Sequence, residues 1–380
     1  MYRCMTMTIF PSVFPRTEEW GFGGKKGRWQ MEKLRVCVMF GGASSEHEVS
    51  LKSAASVLSN IDTQRYEVYK IAISKEGGWY FYDGEAEGLS LLNDAENWTM
   101  DRAMISPDRE EKAILRLTES GIQRYPIDVV FPVLHGKNGE DGTVQGLLEL
   151  AGIPYVGSKV IGSAVCMDKC MAKTVFRYAG IPQANWVELK RGEEKIQEIE
   201  ETLGYPCFVK PANAGSSVGI TKAHNREELE AGIQVAFKED YKILVEEMMY
   251  GTEVECSVMG NLNPVAAEVL GEIAPAAEFY DYDAKYNNAA SILTIPADVK
   301  PEHAEKLRNF AVKAYKACEC RGLSRVDFFL NKETGDMYLN EINTLPGFTS
   351  ISMYAKLWGA SGLPYSELVD RLLDLAMEVD

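Results

Sequence analysis

The segment "SRVDFFLNKETGDMYLNEINTLPGFTS", Ser324 to Ser350, places charged residues inside two apolar runs. Runs such as VDFFL and MYLNEIN are typical of buried or half-buried strands, where a carboxylate is costly unless a partner compensates its charge. The intervening NKETGD is a turn signal, so the segment is predicted to form a β-hairpin. The function of this hairpin should therefore depend on what neutralises Asp327 and Glu341.

Side-chain alternation places the polar residues of the hairpin on one face. A turn centred near Thr334 would pair Asp327 with Glu341 and Arg325 with Asn343. Opposed carboxylates repel, and a divalent cation removes that penalty; oxygen ligands of this kind suit Mg²⁺. The alternative is a solvent-facing edge hairpin. The other face is predicted to carry Phe328, Leu330, Tyr338 and Ile342.

The composition limits the classes of protein to consider. The length of 380 residues is enough for two or three domains, and 46% hydrophobic with 25% charged residues is an ordinary globular balance. No apolar run approaches the ~18 residues of a membrane span. A net charge of −16 argues against non-specific nucleic-acid binding. Eight cysteines without a CxxC pair predict reduced thiols in a cytosolic protein.

The chain divides into an extension and three predicted domains. Residues 1–30 lack periodicity and signal-peptide features, and are predicted to be disordered or a non-native extension. In residues 31–157, strands alternate with helices, which predicts a parallel α/β sheet with ligands at the carboxyl ends of its strands. Residues 158–246 and 247–380 are the predicted central and C-terminal domains, both α+β.

Several local patterns refine this outline. A helix is predicted in SSEHEVSLKSAASVLSNI, with Ser45 as its cap. Gly152 and Gly180 should end two helices in the left-handed conformation, since Ile-Pro follows each of them. The segment from about Lys75 to Gly121 is predicted to elaborate the first domain.

Two segments contain cations suited to phosphate. In VKPANAGSSVG, small residues let backbone N–H groups approach phosphate oxygens, and Lys210 supplies positive charge. The segment is not a P-loop, and a mobile surface loop is the alternative. Lys169 in MDKCMAK offers a second cation, or else is a solvated helix residue.

Three further segments carry groups suited to a small polar substrate. EFYDYDAKYNN is predicted to be a lid, with Lys285 and Tyr286 reaching the substrate; a Tyr-rich surface loop is the alternative. Glu46 in GGASSEHEVS and His135 in HGKNGEDGTVQG follow predicted strands. Glu46 could bind an ammonium group, or only favour the helix dipole. His135 could line the same site, or be a satisfied loop histidine.

These segments, in this order, resemble the D-alanine–D-alanine ligases of the ATP-grasp superfamily. The matching motifs are GGASSEHEVSLKSA, HGKNGEDGTVQG, MDK, VKPANAGSSVG, FYDYDAKY, SRVDFF and LNEINTLPGFTS. They span nearly all of Met31 to Asp380. The resemblance implies three α/β domains with ATP gripped between the last two, a homodimer, and a cytoplasmic role in peptidoglycan synthesis.

The resemblance also implies a role for individual residues. The metal ligands, for two Mg²⁺ or Mn²⁺ ions, would be Asp327, Glu341 and Asn343. The ATP-binding residues would be Lys169, Lys210, Glu246 near adenine, Glu247, and Glu253 at the ribose. The first D-alanine would be held by Glu46, Ser216, Tyr286 and His135. The remaining roles fall to Lys285 at the γ-phosphate, Arg325 and the Gly347 amide at the oxyanion, Ser352 at the second carboxylate, and Met353 beside it.

The implied reaction activates a D-alanine carboxylate as an acyl phosphate, which the amine of a second D-alanine attacks. A D-alanine–D-lactate ligase is disfavoured by Lys285 and Tyr286, which lactate-forming relatives generally lack. A D-alanine–D-serine ligase stays open, because a few pocket residues can admit one hydroxyl. A catalytically silent nucleotide-binding protein of the same fold is the alternative from another class.

Overall fold

The computed structural model describes residues 32–93, 97–215, 218–274, 292–349 and 351–378. The predicted extension, residues 1–30, lies outside the described residues, as do Ser216, Lys285 and Tyr286. The strands form three separate sheets that follow one another along the chain. No helix within the described ranges has the length and apolar character needed to cross a membrane.

The first sheet contains seven strands. They are β1 (Leu34–Gly41), β2 (Tyr66–Ile73), β3 (Trp79–Phe81), β4 (Arg102–Ile105), β5 (Ala113–Thr118), β6 (Gly121–Pro126) and β7 (Val129–Leu134), in the spatial order β6-β5-β4-β3-β2-β1-β7. As predicted, β1 pairs in parallel with β2 and β7. The predicted elaboration forms most of an antiparallel meander from β3 to β6. The connections β4–β5 and β5–β6 are too short for a parallel crossover, whereas the β3–β4 connection is longer and contains a 3₁₀ helix.

The helices of this region are α1 (His47–Asn60), a 3₁₀ helix (Ala86–Asn93) and α2 (Thr143–Ala151). The predicted Ser45 cap is wrong, because α1 begins only at His47 and its first turn has no side-chain cap. The Ser44 hydroxyl instead accepts the Glu46 N–H at 2.9 Å and donates to the His135 carbonyl at 2.8 Å. This turn holds Glu46 between β1 and the end of β7. Gly152 ends α2 in the left-handed conformation, as predicted.

The second sheet is antiparallel and has the order β10-β9-β11-β8. Its elements are α3 (Val160–Met167), α4 (Lys169–Tyr178), β8 (Trp186–Lys190), α5 (Ile196–Thr202), β9 (Cys207–Pro211), β10 (Thr221–Ala223), α6 (Arg226–Glu239) and β11 (Lys242–Glu247). Asp168 separates α3 from α4, and its carboxylate accepts the N–H groups of Cys170 and Met171. This cap fixes Lys169 at the start of α4, next to the loop that follows β9.

The third sheet is also antiparallel, with the order β15-β14-β12-β16-β17 and β13 paired to β12. Its elements are β12 (Thr252–Met259), β13 (Val265–Ala266), β14 (Gly271–Ala274), β15 (Ile292–Thr294), α7 (Pro301–Ala317), β16 (Leu323–Leu330) and β17 (Met337–Asn343). Helix α7 packs against β12 and β16. Its apolar side covers one face of the sheet, which leaves the face of Asp327 for polar groups.

The last helices, α8 (Met353–Ala360) and α9 (Tyr365–Met377), join the core of the first sheet. Phe131 of β7 meets Phe348 edge-on at 5.8 Å, and Phe348 in turn packs on Tyr354. The Tyr365 hydroxyl donates to the Phe348 carbonyl at 2.7 Å. These contacts hold the loop between β17 and α8 against the carboxyl ends of the parallel strands.

Seven of the eight cysteines lie among the described residues, and all seven are buried free thiols. Burial raises the pKa of the Cys207 thiol to about 11 and that of Cys170 to about 12. The Cys207 and Cys170 thiols are therefore protonated at neutral pH and pack as small apolar side chains.

Candidate active site

Strands β16 and β17 form the predicted hairpin in the predicted register. Asp327 lies opposite Glu341, and Arg325 lies opposite Asn343. All four side chains therefore share one face of the third sheet. The acidic pair that made this segment unusual in sequence is brought together by ordinary strand pairing.

A β-bulge follows Asp327 and changes the opposite face. Beyond it Phe328 pairs with Leu339, which is 1% exposed, whereas Tyr338 is only half-buried. The prediction that Tyr338 shares a face with Phe328, Leu330 and Ile342 is therefore wrong. An inserted residue reverses the alternation from that point on, and the sequence pattern alone does not reveal it.

Arg325 neutralises the buried carboxylate of the hairpin. Its Nε and Nη2 atoms donate to the two oxygens of Asp327 at 2.8 and 2.7 Å, a bidentate pair. The Asn343 amide donates to Asp327 Oδ2 at 2.9 Å. Burial by itself would lower the pKa of Arg325, but the negative charges of Asp327 and Glu255 outweigh burial and raise the pKa above its ordinary value. The guanidinium therefore stays charged. Both Asp327 oxygens thus have hydrogen-bond partners, although the residue is only 1% exposed.

The same face offers a set of oxygen ligands for a hard cation. Asp327, Glu341 and Asn343 supply the carboxylate and amide oxygens that Mg²⁺ and Mn²⁺ prefer. A second grouping overlaps it, since carboxylate oxygens of Glu253, Glu255 and Asp327 lie within 4.8 Å of one another. The residues fit a divalent ion, provided that Arg325 and the Asn343 amide turn away from the Asp327 oxygens.

A cleft of about 130 Å³ opens beside Arg325, between the first and third sheets. Its lining includes most of the residues predicted to bind the two substrates, together with Glu140. The predicted residues in the lining are Glu46, His135, Arg325, Asn343, Gly347, Ser352 and Met353. Residues up to about 300 positions apart in the sequence therefore line one small cavity.

Glu46 is buried and held between two glycines. A Cβ atom at Gly215 would lie 2.4 Å from Glu46 Oε2, and one at Gly136 would lie 2.6 Å from it. Both loops can approach the carboxylate only because neither residue has a side chain. The glycine-rich loop after β9 thus reaches the start of α1 and meets the predicted first-substrate residue.

Glu140 is an acid of the cleft that the sequence prediction missed. Its carboxylate accepts the N–H of Gly136 at 2.7 Å and that of Leu345 at 3.2 Å, which links β7 to the loop after β17. Burial, followed by the negative charge of Glu46, raises the pKa of Glu140 to about 8. Glu140 therefore keeps its proton at neutral pH, which lets two carboxyl groups share the cleft.

His135 lines the cleft, but both of its ring nitrogens have protein partners. Nδ1 lies 3.0 Å from the Leu345 carbonyl and so donates, while Nε2 accepts from the Ser53 hydroxyl at 3.0 Å. Burial lowers the pKa of His135 and keeps the ring neutral. The neutral ring lines the cleft and holds the Leu345 loop.

Two family models match the chain: "D-ala D-ala ligase N-terminus" over residues 35–158 and "D-ala D-ala ligase C-terminus" over residues 175–374. The chain belongs to the D-alanine–D-alanine ligase family. The D-alanine–D-alanine ligase of Thermoanaerobacter sp. (strain X514) is 50% identical over 355 residues, which are 92% of this chain and 98% of that protein. The enzyme of that name from Clostridium acetobutylicum is 53% identical over 350 residues, covering 90% and 98%.

Solved structures agree with this family assignment. The VanG D-Ala:D-Ser ligase from Enterococcus faecalis has a TM-score of 0.82 and 41% identity, covering 91% of this chain and 100% of that chain. The D-alanine–D-alanine ligase from Coxiella burnetii has a TM-score of 0.79 and 36% identity, covering 91% and 94%. The predicted ATP-grasp architecture of the D-alanine–D-alanine ligases is confirmed.

The two lysines that are predicted to bind phosphate lie on either side of the glycine-rich loop. Lys169 Nζ donates to the Ala214 carbonyl within that loop at 2.6 Å. Lys210 lies at the end of β9 and pairs with Glu246 at 2.6 Å. Both ammonium groups are therefore near the base of the loop, where phosphate binding was predicted. Their contacts with ATP stay a prediction.

The acids predicted to contact the nucleoside lie where β11 ends and β12 begins. Glu246 is buried, and Glu247 accepts the backbone N–H of Asn185 at 2.6 Å. Glu253 lies opposite Phe329 of β16. Roles at adenine and ribose remain predictions for all three acids.

Lys173 is a second residue that sequence reasoning missed. It lies four residues after Lys169, is only 3% exposed, and forms an ion pair with Glu246. Glu246 thus bridges Lys173 and Lys210. Burial would raise the pKa of Glu246, but the two lysines outweigh it and hold the pKa at about 2. The repeated lysine spacing in MDKCMAK was the available signal.

We expect Glu246→Gln to lower the free energy of unfolding at pH 6 by about 3–5 kcal/mol, because two buried ammonium groups lose their anion. The wild-type pKa of about 2 lies below the ordinary 4.5. This stabilisation is therefore complete above pH 4.5 and is lost as the pH falls towards 2. Urea unfolding should show the difference between the two proteins shrinking from pH 6 to pH 3.

Glu200→Gln is the matched control, because Glu200 pairs with Arg226 in an exposed position. It should change the urea midpoint far less than Glu246→Gln. Equal midpoints for wild type and Glu246→Gln at pH 6 would contradict the stabilising role of Glu246.

Proposed function

We propose that this chain joins two D-alanine molecules, using ATP, to give D-alanyl-D-alanine, ADP and phosphate for peptidoglycan precursor synthesis. The observation that carries this proposal is the convergence of Glu46, Arg325, Gly347 and Ser352 on one cleft. Glu46 could bind an ammonium group, Arg325 and the Gly347 amide could bind an oxyanion, and the Ser352 hydroxyl could bind a carboxylate. Together these groups suit two amino-acid substrates. Relatives about 50% identical are D-alanine–D-alanine ligases, which supports the same conclusion.

ATP is proposed to bind between the second and third sheets. Its phosphates would meet Lys169, Lys210 and the glycine-rich loop, and its nucleoside would meet Glu246, Glu247 and Glu253. Asp327, Glu341 and Asn343 would hold two Mg²⁺ or Mn²⁺ ions. A bound ion would neutralise the negative charge of the phosphates during phosphoryl transfer.

In the first half of the reaction, Glu46 would bind the ammonium group of the first D-alanine. Ser216 and Tyr286, both outside the described residues, are proposed to complete this hydrogen-bonded set. The substrate carboxylate then attacks the γ-phosphoryl group and becomes an acyl phosphate. Lys169, Lys210 and Lys285 would balance the charge of the transferred group.

In the second half, the amine of the second D-alanine attacks the acyl carbon. Arg325 and the Gly347 amide would stabilise the tetrahedral oxyanion, and phosphate then leaves. Ser352, whose hydroxyl lies 2.8 Å from that of Thr349, would bind the second carboxylate. A lid over the cleft would keep water from the acyl phosphate.

The second-substrate end of the cleft favours D-alanine over D-serine. Met353 is 4% exposed and lies beside Ile273 and Leu293 in the described lining. These apolar side chains suit a methyl group, whereas the hydroxyls in the same lining are those of Thr349 and Ser352, and Ser352 is proposed to bind the second carboxylate. Such a pocket discriminates by only about 100-fold, so the preference should be measurable rather than absolute.

The test is product analysis with ATP, Mg²⁺ and an equimolar mixture of D-alanine, D-serine and D-lactate. We expect D-alanyl-D-alanine to dominate, with ADP release that depends on D-alanine. Phosphate release unchanged by D-alanine would contradict a ligase and favour the silent nucleotide-binding protein. A dominant D-alanyl-D-serine product would instead reassign the second substrate. Glu341→Ala is the inactive control.

We further propose a homodimer that works in the cytoplasm, where ATP is supplied. Family resemblance supports the assembly state. Sedimentation equilibrium of the full chain should give about twice the monomer mass of 42.3 kDa. A single species of monomer mass across the accessible concentrations would contradict the dimer.

A further inference from the structure

Three carboxylates form a row across neighbouring strands of the third sheet. Glu255 of β12 lies opposite Asp327 of β16, and Asp327 lies opposite Glu341 of β17. Directly opposed residues share a face, so the three acids lie side by side. Glu255 is 3% exposed and was not predicted from the sequence as a site residue. Three adjacent acids need positive charge if they are to remain ionised.

Arg325 provides that charge to two of these acids at once. Its Nε atom lies 3.2 Å from Glu255 Oε1, while Nε and Nη2 contact the two Asp327 oxygens. Its side chain is 18% exposed and lines the substrate cleft. The guanidinium is therefore held between an acid of the proposed metal site and an acid that is outside it.

The proposed reaction makes competing demands on Asp327. Its two oxygens bind Arg325, yet the same oxygens would have to face a divalent ion. If the pair simply separated, Arg325 would lose its anchor at the step in which the oxyanion forms. Glu255 provides a second anchor on the adjacent strand, in contact with the same Nε atom.

We propose that Glu255 is a positioning residue for Arg325, and that it retains the guanidinium at the cleft when Asp327 turns its oxygens to a metal ion. This inference rests on the proposed roles of Arg325 and Asp327. A direct alternative exists, because Glu253, Glu255 and Asp327 are close enough to share an ion themselves. The experiment must therefore separate anchoring of Arg325 from ligation of metal.

The first measurement is Mn²⁺ binding by electron paramagnetic resonance, on the full chain without substrates. We expect Glu255→Gln to weaken Mn²⁺ binding about tenfold, because Arg325 then has Asp327 as its remaining anchor and competes with the ion. Glu272→Gln is the matched control, since Glu272 pairs with Lys332 at 2.9 Å on the same sheet and should leave binding unchanged. Unaltered Mn²⁺ binding by Glu255→Gln overturns the inference.

A double-mutant cycle with Arg325→Met identifies the route of the effect. If Glu255 acts through Arg325, adding Glu255→Gln to Arg325→Met should change Mn²⁺ affinity less than about twofold. If Glu255 is itself a ligand, or acts by charge alone, its loss should weaken binding as much or more without Arg325. That outcome overturns the positioning role.

Kinetics provide an independent readout. Glu255→Gln should lower kcat about 10–100-fold while the KM for ATP stays within about twofold, and Glu255→Asp should recover part of the kcat. Replacement of a merely structural residue would change thermal stability and the fraction folded, but would not lower the kcat of the folded molecules while the KM for ATP stays the same. Equal kcat per folded molecule for Glu255→Gln and wild type overturns the inference.

If Glu255→Gln does not fold, the wild-type crystal structure with Mn²⁺ and ADP decides. The inference is supported if Arg325 contacts Glu255 while the Asp327 oxygens coordinate the ion. It is overturned if Arg325 keeps both of its hydrogen bonds to Asp327. Failure of the proposed function is distinguishable, since it would appear as wild-type phosphate release that D-alanine does not change. An inactive Arg325→Lys beside a normal Glu255→Gln overturns only the role of Glu255.

Discussion

Arg325→Lys is expected to lower kcat about 100- to 1000-fold, while the KM for ATP changes little. A lysine keeps the charge but cannot form the two parallel bonds to Asp327 while also facing the cleft. The lost interaction would be made chiefly with the oxyanion, and removal of one such donor typically costs a factor of this size. Steady-state release of phosphate with saturating ATP and D-alanine measures it.

Arg308→Lys is the control for this change. Arg308 lies on α7, where its Nη1 atom donates to the Glu268 carbonyl at 2.9 Å, and it is not among the residues that line the cleft. Its replacement should leave kcat unchanged. A kcat for Arg325→Lys within about threefold of wild type would exclude Arg325 as the oxyanion partner, because so small a loss is below that of a single donor.

The second large effect is expected for Gly215→Ala, which should raise the KM for D-alanine at the first site and lower kcat. The new Cβ would lie 2.4 Å from Glu46 Oε2. Gly136 approaches the same oxygen, so a displaced carboxylate would have to avoid that loop as well. Misplacement of a substrate-positioning group by about 1 Å can cost about 100-fold in rate.

Gly146→Ala provides the matched control, since Gly146 lies within α2 and a Cβ there meets no atom within 4 Å. It should leave both kinetic constants unchanged and stabilise the protein by up to about 1 kcal/mol. Initial rates over a range of D-alanine concentrations, beside thermal melts, compare the two variants. Wild-type kinetics for Gly215→Ala would mean that Glu46 can move without consequence.

The hairpin illustrates how far local pattern extends. Alternation of polar and apolar residues predicted the pairing of Asp327 with Glu341 and of Arg325 with Asn343, and the register confirms both. The bulge beyond Asp327 was not predicted, and it places Tyr338 opposite Phe329 instead of on the face of Phe328. A bulge depends on how the whole strand twists against its neighbours, so periodicity does not reveal it.

The first sheet shows a similar limit. Alternating strands and helices correctly predicted the parallel pairing of β1, β2 and β7. The antiparallel meander from β3 to β6 was predicted only as an elaboration of the first domain, because β4 is four residues long and most of β6 is exposed. Ala103, Ile105 and Ile114 are nevertheless buried in its core. The Ser45 cap failed because α1 begins only at His47, and the preceding turn is held instead by the bond from the Ser44 hydroxyl to the His135 carbonyl, just after β7.

The sequence by itself determined the chemical inventory of this protein: which oxygens, ammonium groups and glycines exist, and which of them share a strand face. Only the tertiary structure decided that Glu46 meets Gly215, that Glu246 bridges Lys173 and Lys210, and that Glu255 contacts Arg325. The physical reason is range. Backbone geometry repeats every two or 3.6 residues and is therefore local, whereas these contacts arise when separate sheets and strands pack and bury their polar groups together.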